Sequence, residues 1–176
     1  MSSSRTVSPL VPLAAFAFAI AHVGFEYFNG GVKTHHFLAR ADLPGFSNWL
    51  GLLVLPLLGV VLAVRAKSAH GGQVNGILPP TVAAGTVGSL AYGAALAASF
   101  HFGLEHASLI LFLGLFLCSI ALPVYRAEYI FGFVVGMAIT FGSVIPLTFA
   151  LIFAAISLGL RRIAVFVLSA VRKPRR

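Results

Sequence analysis

The sequence predicts an all-α fold: a polytopic membrane helix bundle of five transmembrane helices, the last one long and kinked near Pro146. Three observations predict it. Hydrophobic residues make up 59% of the 176-residue chain and charged residues only 9%, against about 25% charged in a soluble domain. The mean hydropathy is +1.00. The apolar residues fall in long runs joined by short polar connections, the pattern of spans rather than of a soluble core. This balance excludes an ordinary cytosolic enzyme, a disordered tail and a secreted disulfide module. Cys118 is the single cysteine, so no internal disulfide can form.

The first span covers about 10–28. It carries His22 and Glu26 with no helix break before them, so it reads as a retained helix rather than a cleaved signal peptide. The second covers about 48–64, with Asn48 placed to cap its start and Trp49 as an interface anchor. The third, about 81–104, is dense in Gly, Ala and Ser, residues that let helix backbones approach closely in lipid. The fourth covers about 107–124. The last covers about 129–160, which as a straight helix would measure about 48 Å against a hydrocarbon core of about 30 Å. It must tilt, protrude, kink at Pro146 or break in two, and one long kinked helix is expected. Gly132 and Gly136 form a G-x-x-x-G pair in it, read as packing within the chain. Thr140 and Ser143 are placed to satisfy carbonyls freed by the kink.

A basic tail, 161–176, follows with Arg161, Arg162, Arg172, Lys173, Arg175 and Arg176. Its apolar stretch 163–171 reads as a continuation of the last helix or an interfacial helix. No connection is long enough to hold a domain, so 1–176 is expected to form a single integral membrane domain. The net charge of +8 suits anionic lipid headgroups at the tail. Nucleic acid is not expected as a partner, because no soluble domain presents the charge.

With five spans the first, third and last helices end on the same side. Lys33, Arg40 and the tail gather there, opposite Arg5, Arg65, Lys67 and Arg126. The positive-inside rule then places the C-terminus in the cytoplasm of a bacterial-type plasma membrane, with the N-terminus outside. A last segment crossing twice would bring the N-terminus inside.

The informative pattern is a repeated pentapeptide, H-x-G-x-E. The first copy runs from His22 through Gly24 to Glu26, and the second from His101 through Gly103 to Glu105, followed by His106. On a helix, residues four apart share a face, so each copy is expected to set an imidazole beside a carboxylate. Both copies close odd-numbered helices and so share one end of the bundle. The connection after the first copy adds His35, His36, Arg40 and Asp42. Arg40 and Asp42 suit an ion pair. Glu128 suits a helix start, and His70 reads as a solvated loop residue.

Three chemistries compete for this cluster. His and Glu ligate divalent transition metals, so His22, Glu26, His101 and Glu105 could hold zinc, iron or manganese, with His35, His36 and His106 contributing to cofactor binding. The spacing departs from the usual di-iron signature, in which Glu and His lie three apart. Alternatively Glu26 or Glu105 is the catalytic proton donor, held by a His, acting on a lipid-phase substrate. A third possibility is a proton or cation path in a small, homo-oligomeric transporter or channel. The cluster could also bind a cofactor in a subunit of a larger membrane complex. Against all of these stands a structural role, in which a His–Glu pair only ties two helices together.

Overall fold

The computed structural model describes residues 9–37, 40, 42–69 and 78–171. Arg5, His70, Arg172, Lys173, Arg175 and Arg176 lie outside the described residues. The described chain forms six α-helices, a 3-10 turn at Asn48–Leu50 and one short hairpin: α1 Leu10–Phe28, β1 Thr34–His36, β2 Gly45–Ser47, α2 Gly51–Ala69, α3 Pro80–His101, α4 Glu105–Ala121, α5 Ala127–Phe141 and α6 Val144–Val171.

Four of the helices are long and apolar enough to cross a membrane, namely Leu10–Phe28, Asn48–Ser68, Pro80–His101 and Val144–Ser169. The interior is mostly apolar, with Glu26, Asn48, Glu128 and Ser157 among the few buried polar residues, and the outer surface is apolar as well, Leu117 being 69% exposed and Phe166 72% exposed. So apolar an exterior suits hydrocarbon surroundings.

The last apolar stretch differs from the expected single kinked helix. It is divided into α5 and α6, and the division falls at Gly142, whose φ of +68° only glycine adopts without strain. Pro146 lies in the first turn of α6, where a missing N–H removes no helical hydrogen bond. It therefore starts a helix instead of kinking one. The tail from 163 to 171 continues α6.

Helices alternate in direction. At one end, Asn48 just before α2 meets Glu26 near the end of α1, and Phe100 of α3 meets Phe141 of α5 edge-on at 5.4 Å between ring centres. At the other end, Ser157 of α6 donates to the Leu122 carbonyl just after α4 at 3.0 Å. Packing within the chain explains the glycines. Gly132 and Gly136 of α5 lie against the α3 backbone at Thr86 and Leu90, leaving no room for a Cβ. Gly59 of α2 does the same for α1, where a Cβ would stand 2.8 Å from Pro12 Cα. α5 has only fifteen residues, yet most of its faces are covered by α2, α3 and α6, so its backbone ends stay surrounded by protein.

Candidate functional site

The first H-x-G-x-E copy lies wholly within α1. That helix buries Val11, Ala15, Ala19, Val23 and Glu26 along one stripe, so the carboxylate falls at the inner end of an otherwise apolar face. His22 Nε2 lies 3.6 Å from Glu26 Oε1, as the one-turn spacing predicts. α1 stops after Phe28, where Gly30 adopts a φ of +116° and Gly31 N–H donates back to the Glu26 carbonyl at 3.0 Å. The turn carries the chain over Glu26 instead of away from it.

The hairpin then closes the site. β1 and β2 pair antiparallel, His35 opposite Phe46. The Lys33 N–H donates to Glu26 Oε2 at 3.2 Å, and the Asn48 N–H donates to the Lys33 carbonyl at 3.0 Å. The Asn48 side chain is the centre of the arrangement. Its amide donates to Glu26 Oε1 at 2.8 Å and lies 3.3 Å from His35 Nε2. Both amide hydrogens are thus used if His35 accepts at Nε2, which requires a neutral ring. Burial pushes the His35 pKa down from its ordinary value of 6.5, with the Glu26 charge opposing, so the neutral ring is favoured. Glu26 is 6% exposed and Asn48 3% exposed. Gly142, between α5 and α6, backs onto Asn48 Oδ1, so the break between these helices makes room for the amide.

Asn48 is therefore not the helix cap that its position suggested. Ser47 caps the 3-10 turn Asn48–Leu50 that leads into α2, accepting from the Trp49 N–H at 3.5 Å. His36 does not face the cluster through its Nδ1, which lies 2.9 Å from the Leu43 carbonyl and stiffens the hairpin. Arg40 and Asp42 pair with each other at 2.7 Å, both exposed.

The second copy is built differently. α3 ends at His101 and Gly103 turns with a φ of +66°. The Leu104 N–H donates to the Ser99 carbonyl at 2.9 Å and the Gly103 N–H to the Phe100 carbonyl at 3.2 Å. This is the Schellman closure of a helix, with glycine in the left-handed position. Glu105 begins a new helix, and the one-turn spacing expected between His101 and Glu105 does not arise. His101 packs edge-on against Phe102 at 5.2 Å. His101, Glu105 and His106 are exposed. Glu105 borders an apolar recess of about 370 Å³ with Phe100, Ser108 and Phe112, and as the first residue of α4 it complements the helix dipole.

The structure brings His22, Glu26 and His35 together with Asn48, and leaves His101, Glu105 and His106 apart from them. Among the described residues no three His, Cys, Asp or Glu side chains gather as an ion would require. Asn48 and the Lys33 amide are the participants that sequence reasoning missed. The signal available was an amide residue just before an apolar run, indistinguishable by sequence from a helix cap. No protein-family model, curated protein or solved structure matches this chain.

Proposed function

We propose that this chain is an integral membrane protein whose buried Glu26 carries out acid–base chemistry on a substrate reaching it through the lipid phase. The observation that supports this reading is a carboxylate 6% exposed, held by the Asn48 amide at 2.8 Å, with His22 at 3.6 Å. Intramembrane acids are costly and mark sites of proton handling. In this reading Glu26 exchanges the proton, His22 is its nearest relay, and Asn48 with neutral His35 fixes the carboxylate's orientation. Its test is infrared difference spectroscopy of the vesicle-reconstituted protein. A proton-linked carboxyl band that vanishes in Glu26→Gln supports the reading, and a spectrum unchanged in that variant overturns it. Proton flux across the vesicle that Glu26→Gln abolishes would instead assign the same carboxylate to a transporter. In the metal version His22 and Glu26 supply two donors to zinc, iron or manganese, which elemental analysis of the wild type and of His22→Ala decides.

We also place the C-terminus in the cytoplasm. With the last stretch crossing as two antiparallel helices, the alternative already open from the sequence, the N-terminus joins it there. Of the twelve Lys and Arg, only Lys33 and Arg40 then fall on the opposite side, with the hairpin and the Glu26 cluster. This is a stronger positive-inside asymmetry than the five-span reading offers.

A further inference from the structure

Toward the opposite end of the bundle from the Glu26 cluster, α3, α4, α5 and α6 diverge around a cavity of about 560 Å³. Its walls include Ala84, Gly88 and Tyr92 of α3, Leu115 and Cys118 of α4, and Phe153 of α6. Ala84 and Gly88 remain exposed, so the cavity opens sideways between helices, where a bilayer presents acyl chains. The volume falls within the roughly 300–1,000 Å³ of small-molecule sites.

Charged side chains neighbour one end of the cavity without lining it. Glu128 is 4% exposed, and its Oε2 has no hydrogen-bond partner among the described residues. The side chain stands directly behind Gly85, another wall residue, where a Cβ would come within 2.9 Å of Glu128 Cγ. Arg126 Nη1 lies 4.0 Å from Glu128 Oε1, and the Arg126 side chain is 43% exposed. Arg161 donates Nη2 to the Ala121 carbonyl at 3.2 Å, beside the wall residue Leu122. Its buried Nε lacks a partner among the described residues. Two guanidinium groups and one carboxylate leave this end of the bundle net positive.

We propose that this cavity binds an anionic phospholipid. One acyl chain lies along Gly88 and Tyr92, and the phosphate is drawn to Arg126 and Arg161 beside the cavity's end. The site shares no residue with the Glu26 cluster and stands whether or not that cluster handles protons.

The test uses the full chain in phosphatidylcholine nanodiscs doped with phosphatidylglycerol carrying a diazirine in one acyl chain. Photolabelling is mapped to the peptides that contain Tyr92 and Cys118. Labelling there should exceed that by an equal dose of diazirine-bearing phosphatidylcholine by roughly fivefold or more. Unlabelled phosphatidylglycerol should displace it, and unlabelled phosphatidylcholine should not. Gly88→Phe fills the cavity from a position where a Cβ meets nothing within 4 Å, so it should fold and lose the labelling. Arg126→Gln with Arg161→Gln should abolish the headgroup preference and keep a residual signal. Equal labelling by the two lipids overturns the proposal, as does undiminished labelling in Gly88→Phe. The displacement experiment needs no variant and decides the matter should either variant misfold.

Discussion

The two H-x-G-x-E copies have the same residue types at the same spacing and end in opposite structures. In the first, Gly24 is an ordinary residue inside α1, and the glycine that stops the helix, Gly30, comes four residues after the acid. In the second, Gly103 is itself the helix stop, two residues before the acid. One copy therefore sets its His and Glu one turn apart on a buried face. The other divides them between two helices and leaves both exposed. Identical local chemistry becomes a site or a turn according to where the next left-handed glycine falls.

The largest effect that sharpens this contrast is at the clamp. Asn48→Leu leaves the Glu26 carboxylate buried without its amide donor and should cost about 1–3 kcal/mol of stability. Glu105→Gln, at an exposed position, should stay within about 0.5 kcal/mol of the parent. Unfolding in mixed micelles measures both, and equal losses would erase the distinction between the copies. Next comes a pair of glycine substitutions with opposite signs. Gly103→Ala forces a side chain into the left-handed region and should destabilise by about 1 kcal/mol. Gly24→Ala, in mid-helix with nothing within 4 Å of its Cβ, should stabilise by about 0.5–1 kcal/mol. A loss at both positions would mean that α1 needs its glycine for a close neighbour.

The smallest effect is a pH dependence. Burial depresses the folded-state pKa of His35 below 6.5, so the unfolded chain binds this proton more readily than the folded one. The stability tied to neutral His35 is complete above about pH 6.5 and is lost as pH falls through the lower folded value. Melting between pH 7.5 and 5 should show that fall, and His35→Gln should flatten it. An unchanged slope in the variant would remove His35 from the clamp.

The apolar helices were legible because their signal is long and repeated. The expected first span coincides with α1, and the third and fourth differ from α3 and α4 by a few residues at their ends. The hairpin was not legible. Three-residue strands carry too little alternation to register, and His35 and His36 read as loop chemistry. The break at Gly142 left a visible trace, a glycine four residues before a proline, but the longer apolar run outweighed it. Gly103 left the same kind of trace at a helix end, hidden by the attraction of reading the pentapeptide as one continuous helix. Burial of Glu128 lay beyond sequence altogether. An acid at a helix start is usually solvated, and only the closeness of α3 at glycine 85 encloses it.

The shortness of α5 bears on how the protein is made. Fifteen residues rise about 22 Å, less than the roughly 30 Å of a bilayer's interior. Such a segment gains little by leaving the insertion machinery alone, least of all with a carboxylate in its first turn. The two-residue joint at 142–143 couples it to α6, which is long enough for both. The joint thus makes α6 the element that would anchor α5 during insertion, with α2 and α3 covering its other faces.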